Sequence, residues 1–158
     1  MFSAWLALPM PFAFAQFSVG PDLGIPSGSW SDWGDAGFGA SARYEATIHA
    51  NLNWTASLGL ISFIGKSYNF RVPSATYTNE FLLPLTGGVK YYFQKANVGV
   101  YGAADAGIFF ANNNQGTKVG FLPGLGYRSE RFDFTFRYNL ISDLSYWALR
   151  AAFIFPHR

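Results

Sequence analysis

The sequence has no cysteine, few charged residues and, after its first residues, no long hydrophobic run. The lack of cysteine excludes disulfide bonds, thiolate catalysis and cysteine-ligated metals. Only 13% of the residues are charged, whereas a soluble domain usually carries about a quarter. No segment after the N-terminus approaches the ~20 apolar residues that a membrane-spanning helix needs. The composition therefore predicts neither an ordinary soluble domain nor a bundle of transmembrane helices.

Residues that carry chemistry are also scarce. The formal net charge is +2 and no run of lysine and arginine occurs, so we expect no binding of nucleic acid. His49 and His157 have no neighbour at the spacing of metal ligands or of a catalytic pair. Gly124-Leu125-Gly126 lacks the further glycine and the following helix of a phosphate-binding loop. We therefore predict no catalytic residue, no metal site and no cofactor.

The N-terminus differs in composition from the rest of the chain. Trp5–Ala15 is an apolar run with the length of a signal-peptide core, although no lysine or arginine precedes it. Ala13-Phe14-Ala15 followed by Gln16 fits the pattern of small residues at a signal cleavage site. We therefore predict a signal peptide over residues 1–15 and a single domain over residues 16–158.

Alternating apolar and polar residues indicate β-strands with two unlike faces. From Phe132 to Leu140, large apolar side chains occupy every second position, and Asp133, Thr135, Arg137 and Asn139 occupy the others. The segments Trp147–Phe155 and Phe38–Ile48 repeat this pattern. Together with these three, the remaining predicted strands make about eight: Phe17–Pro26, Trp54–Ile64, Phe81–Phe93, Val98–Phe110 and Val119–Arg128.

The predicted connections alternate between short and long. The short ones are His49–Asn53, Gln94–Asn97 and Ser129–Glu130, and the long ones are Ser27–Ala36, Gly65–Asn79, Ala111–Lys118 and Ile141–Ser145. Bacterial outer-membrane barrels have short periplasmic turns and longer extracellular loops, in this order along the chain. The sequence therefore predicts an all-β fold: a closed, antiparallel, up-and-down transmembrane β-barrel, apolar outside and polar inside. Pro21, Pro84 and Pro123 fall within strands, where we expect bulges or strand ends because proline lacks an amide donor.

The alternation also assigns most charged residues of the strands to the interior of the barrel: Asp22, Arg43, Glu45, Lys90, Asp105, Asp133, Arg137 and Arg150. A lysine or arginine facing lipid at the midplane would cost about 2–4 kcal/mol, whereas inside the barrel these groups can pair. We expect Asp133, Arg137 and Arg150 to pair across the last two strands. An eight-stranded interior is just wide enough for side chains to fill. The prediction is a structural plug of charged side chains, with a narrow ion path as the alternative.

Outward aromatic residues are predicted to gather near the two rims, as they do at membrane interfaces. One rim would carry Phe17, Trp54, Tyr91, Phe93, Tyr127, Phe132, Phe153 and Phe155. The other would carry Trp30, Trp33, Phe38, Phe81, Phe110 and Trp147.

Several segments resemble those of small outer-membrane β-barrel domain proteins. Leu83–Phe93 has the spacing Pro-x-Thr-x-Gly-x-Lys-Tyr-Tyr-Phe of one strand in that family, and Pro123–Tyr127 and Phe136–Tyr138 resemble its later strands. Trp147–Phe155 resembles the aromatic-ended signal that the barrel-assembly machinery recognises, although Pro156-His157-Arg158 follows it. Over Gln16–Phe155 the chain is thus similar to OmpA/OmpX-like, porin-type barrels.

This resemblance implies a monomer in the outer membrane of a Gram-negative envelope, in contact with outer-membrane lipid and lipopolysaccharide and inserted by the barrel-assembly machinery. It implies no catalytic residues, so an enzyme is not expected, and it does not indicate ligand-binding residues. The first functional hypothesis is a structural or surface-interaction role. The alternatives are a narrow channel and a secreted, lipocalin-like barrel that binds an apolar ligand. A lipocalin would carry its charges outside and its apolar residues inside.

Overall fold

The computed structural model describes residues 15–32, 34–65, 80–94, 97–112, 116–142 and 144–156. Within these ranges the chain forms a closed barrel of eight antiparallel strands in sequence order. The strands are β1 (Ala15–Pro26), β2 (Gly34–His49), β3 (Leu52–Gly65), β4 (Glu80–Tyr92), β5 (Gly99–Ala111), β6 (Thr117–Arg128), β7 (Phe132–Ile141) and β8 (Tyr146–Phe155). Each strand pairs with its neighbours in sequence, and β8 closes on β1 with Phe17 opposite Phe155. The predicted closed up-and-down barrel is confirmed.

Apart from Ala15, the first residue of β1, the predicted signal peptide lies outside the described residues. In the described part of the chain, the helical element is a single 3-10 turn, η1 (Gly28–Asp32). No helix there has the length and hydropathy to cross a membrane.

The barrel has two distinct ends. The terminal end carries the start of β1, the end of β8 and the connections at residues 50–51, 93–98 and 129–131. The loop end carries the connections at residues 27–33, 66–79, 112–116 and 142–145. The predicted alternation of lengths is only partly right, because the connection at 93–98 has more residues than those at 112–116 and 142–145.

The boundary of β2 also differs from the prediction. A long connection was expected over Ser27–Ala36, whereas η1 occupies part of it and β2 already begins at Gly34. The β2–β3 register shifts between Gly34 and Gly37. The short, glycine-containing start of β2 carries no apolar alternation, which is why the sequence pattern does not reveal it.

The prolines within the strands do not cause the bulges or strand ends that were expected. Pro21, Pro84 and Pro123 lie neither in bulges nor at strand ends; each is paired in register with a neighbouring strand. On the other side of each proline the ladder omits two pairs and then resumes in the same register. A missing amide donor is therefore accommodated by a local gap in one ladder.

The two faces of the sheet have opposite polarity. Large apolar side chains are exposed on the outside of every strand, as with Phe132, Phe134 and Phe136 on β7, while Asp133 and Thr135 between them are buried. The outward aromatic residues assigned to the rims lie close to strand ends wherever the structure describes their side chains, whereas Phe134 and Phe136 are outward in the middle of β7. Neighbouring rings pack together, as Phe136 does against Trp147 with ring centroids 5.2 Å apart. The side chains of Trp30 and Trp33 lie outside the described part.

The interior is not polar throughout, which corrects the prediction. Near the loop end it is filled by an apolar cluster, in which the rings of Phe63 and Tyr146 meet edge to face at 5.2 Å. This loop-end cluster comprises Ile61, Phe63, Leu82, Phe109, Leu122, Ile141, Leu144, Tyr146 and Ala148. The charged residues occupy the remaining, middle and terminal part of the interior.

Candidate functional site

The buried charges of the interior form the candidate site. The structure places all eight residues that the alternation assigned inward in the interior, with at most 8% of each exposed. Arg128 is a ninth buried charge that the sequence reasoning left out. Its neighbour Tyr127 was assigned outward, so the same alternation already placed Arg128 inward.

Lys90 is the centre of this network. Its ammonium group donates to Glu45 at 3.0 Å and to Asp133 at 2.5 Å, and it is 0% exposed. It also lies 4.3 Å from the centre of the Tyr101 ring, which adds a cation–π contact. One cation on β4 therefore joins carboxylates from β2 and β7 across the barrel.

Glu45 is contacted by two cations and two neutral donors, all within 3.0 Å. In addition to the bond from Lys90, its carboxylate accepts from the Tyr92 hydroxyl at 2.6 Å and from the Asn53 side-chain amide at 2.7 Å. Arg128 lies 2.9 Å from the same carboxylate and donates to the Tyr92 hydroxyl at 2.9 Å. A carboxylate with four donors can remain ionised away from bulk water.

The other two strand carboxylates near the centre are also satisfied. Asp133 accepts from the Tyr101 hydroxyl at 2.5 Å in addition to Lys90. Asp105 accepts from Arg43 at 2.9 Å and from the Thr55 hydroxyl at 2.7 Å. These contacts cross-link five strands through their side chains, which stiffens the barrel from within.

The expected pairing of Asp133, Arg137 and Arg150 with one another is not observed. Asp133 binds Lys90, and Arg137 lies 3.3 Å from Asp22. Arg150 donates to Ser41 and Ser18 and has no carboxylate within 4.0 Å among the described residues. The alternation determines which face of the sheet a residue occupies. Which residue it pairs with depends on the direction that each long side chain takes across the narrow interior.

The terminal end opens into a polar vestibule of about 390 Å³. The vestibule is lined by Gln16, Glu45, Asn53, Asn97, Val98, Arg128, Ser129 and Glu130, so the buried Glu45–Arg128 ion pair borders it. At the other end the loop-end cluster fills the interior. Between the vestibule and the loop end, the described interior is occupied by the buried charged side chains and the loop-end cluster.

Possible metal ligands are not clustered in the described residues. No group of three or more histidine, cysteine, aspartate and glutamate side chains in the described ranges is placed to hold a metal ion. His49 lies at the last position of β2 at the terminal end, and His157 lies outside the described residues. The site consists of buried ion pairs and hydrogen bonds, with Arg150 bonded to neutral acceptors alone.

No protein-family model and no curated protein sequence matches the chain. Among solved structures, it is similar to Ail, the attachment invasion locus protein of Yersinia pestis, with 15% identity and a TM-score of 0.56 over 89% of this chain and 97% of Ail. Neisserial surface protein A matches with 15% identity and a TM-score of 0.57, over 89% of this chain and 95% of that protein. A de novo designed transmembrane β-barrel matches with 15% identity and a TM-score of 0.55, over 89% and 95%. The chain therefore has the fold of small transmembrane β-barrels.

Proposed function

We propose that this protein is an integral barrel of the outer membrane with a structural or surface-interaction role. The observation that carries the proposal is the inverted polarity of the barrel. Every strand exposes large apolar side chains outward, while the buried interior holds ion pairs. An apolar outer surface with aromatic residues near both rims suits contact with lipid. In water the same surface would be exposed to solvent, which is unfavourable.

The loop end is proposed to face the cell exterior. Outer-membrane barrels keep the longer loops outside and the short turns in the periplasm, and the connection at residues 66–79 joins β3 and β4 at the loop end. Both ends of the barrel domain would then lie on the periplasmic side, as expected for a chain exported with a signal peptide and inserted by the barrel-assembly machinery.

External contacts are proposed to involve this connection. Its sequence combines Lys66 and Arg71 with Tyr68, Phe70 and Tyr77, a mixture suited to anionic carbohydrate such as lipopolysaccharide or to other surface partners. Two similar structures support a surface role: one is named a surface protein, and Ail has also been solved with the heparin analogue sucrose octasulfate.

The alternatives fit the geometry less well. A lipocalin-like barrel would place charges outside and an apolar cavity inside, the reverse of what β7 and β8 show. A narrow channel would need a polar path, but the loop-end cluster and the charged network fill the described interior.

Single cysteines test location and orientation together, because the native chain contains none. Ser142→Cys lies in an exposed turn at the loop end, and Glu130→Cys lies in an exposed turn at the terminal end. A thiol reagent that cannot cross the outer membrane should label the Ser142→Cys protein in intact cells. The Glu130→Cys protein should be labelled only after the outer membrane is opened, and both proteins should fractionate with outer membranes.

Labelling of Glu130→Cys alone in intact cells would show the reverse orientation. Recovery of both proteins in the soluble fraction would refute the outer-membrane location. If both orientation results hold but lipopolysaccharide does not protect the 66–79 connection from protease, the proposed contact fails and the location stands.

A further inference from the structure

The buried charges of the described interior do not balance. Four carboxylates and five cations are buried: Asp22, Glu45, Asp105 and Asp133 against Arg43, Lys90, Arg128, Arg137 and Arg150. Each carboxylate has a cation within 3.3 Å. Arg150 is the cation that none of these carboxylates contacts.

Arg150 is held only by neutral acceptors. Its Nε donates to the Ser41 hydroxyl at 2.8 Å, and its Nη2 donates to the backbone oxygen and the hydroxyl of Ser18, each at 3.2 Å. Its Nη1 has no partner, although the residue is 0% exposed. Asp22 lies opposite Arg150 in the strand register, but its carboxylate is bound by Arg137.

Arg43 brings further unpartnered donors to the same part of the interior. Only its Nη2 is bonded, to Asp105, while Nε and Nη1 have no partner and the residue is 1% exposed. Ser18 is the cross-strand partner of Arg43, and Ser41 is two positions away on the same face of β2. Arg150 is therefore bonded to the two serines that adjoin Arg43 in the sheet, while the Arg43 guanidinium reaches across to Asp105 on β5. The charge of Arg43 acts unfavourably on that of Arg150.

Such an arrangement is unfavourable unless something neutralises it. A buried charge without a counter-charge is strongly destabilising, and each unpaired buried donor adds to that cost. Water would satisfy the N–H groups and leave the excess charge in place, whereas an anion satisfies both. The interior of an eight-stranded barrel is only wide enough for side chains, so the anion has to be small. A spherical anion also accepts several N–H bonds without a fixed geometry.

We propose that Arg43 and Arg150 together bind one small monovalent anion, such as chloride, inside the barrel beside Ser18 and Ser41. With the anion bound, the five buried positive charges are balanced by five negative charges, four from carboxylates and one from the anion. This inference rests on the barrel interior alone and holds whatever partner the loops contact.

The purified barrel, refolded in detergent, provides the test. Sodium gluconate, whose anion is too large for the site, is replaced stepwise by sodium chloride or bromide at constant ionic strength. The thermal unfolding midpoint of the native protein should rise and saturate with either halide. Crystals grown in bromide should give an anomalous peak between the Arg43 and Arg150 guanidinium groups.

Arg150→Met removes the excess charge and should abolish the halide-dependent shift. Arg131→Met, an exposed arginine in the 129–131 turn, should retain it. Equal midpoints of the native protein in gluconate and halide, or an undiminished shift in Arg150→Met, would overturn the proposal. If Arg150→Met does not fold, the bromide crystal of the native protein decides, and absence of a peak at this position overturns the inference.

Discussion

Asp22 and Arg150 lie directly opposite each other across the β1–β8 seam, yet the Asp22 carboxylate is bound by Arg137, one strand further on. The nearest opposite charge in the register is therefore not the partner. Arg150 is therefore a second cation beside Asp22. Because of it, removing different interior cations should lower the unfolding free energy by different amounts.

Lys90 is expected to be the most costly interior cation to remove. Lys90→Met leaves Asp133 without a cation, whereas Glu45 keeps Arg128. Breaking a buried pair in this way typically costs about 3–5 kcal/mol. Urea unfolding of the barrel in lipid vesicles should show this loss of unfolding free energy.

Arg137→Ala should cost less than Lys90→Met, because Arg150 already lies opposite Asp22 and can approach it. Leu149→Val, an exposed outward position on β8, is the control and should cost less than either, since lipid fills the space that is left. Equal losses for Lys90→Met and Leu149→Val would mean that the charges do not face inward.

Closure of the barrel depends on a close backbone approach at Gly20. A Cβ at Gly20 would overlap the backbone of Ala151 and Ala152 on β8. Gly20→Val should therefore open the seam. The native barrel has no free sheet edge and should migrate differently on gels before and after boiling. Gly20→Val should lose this difference.

The control for the seam is Gly102→Ala, where the nearest atom to an added Cβ is Phe93 Cζ at 3.8 Å. That contact is ordinary, so Gly102→Ala should migrate like the native barrel. If Gly20→Val also keeps the native mobility, the β1–β8 seam does not have the described packing.

The fold could be predicted from the sequence because most strands show the alternation of apolar and polar residues that distinguishes their two faces. In β7, Phe134 and Phe136 against Asp133 and Thr135 determine which side faces outward, without reference to any other strand. The start of β2 at Gly34 could not be predicted, because glycine next to a register shift leaves no alternation to detect.

The interior was predictable only in part. The face of Arg137 follows from its own strand, but its pairing with Asp22 depends on side chains that reach past β8. The loop-end cluster was missed because β3 is apolar on both faces near its end, where outward Ile64 adjoins inward Phe63. A period-2 pattern disappears when both faces are apolar.

Signal cleavage is predicted between Ala15 and Gln16, from the small residues at Ala13 and Ala15. The mature chain would then begin at Gln16, whose side chain lines the vestibule at the terminal end. Mass measurement of the protein extracted from membranes checks this. An intact Met1 on the membrane-inserted protein would show that the N-terminal run is retained.

The central claim is that the barrel spans a membrane with its apolar face toward lipid, and collision measurements along β7 test it most directly. Nitroxide labels on single cysteines at Phe134, Thr135, Phe136 and Arg137 are compared in vesicles, using only protein that shows the folded gel mobility. Collision with oxygen, which concentrates in the hydrocarbon, should be high at Phe134 and Phe136 and low at Thr135 and Arg137. The opposite phase, or equal collision at all four positions, would contradict the account.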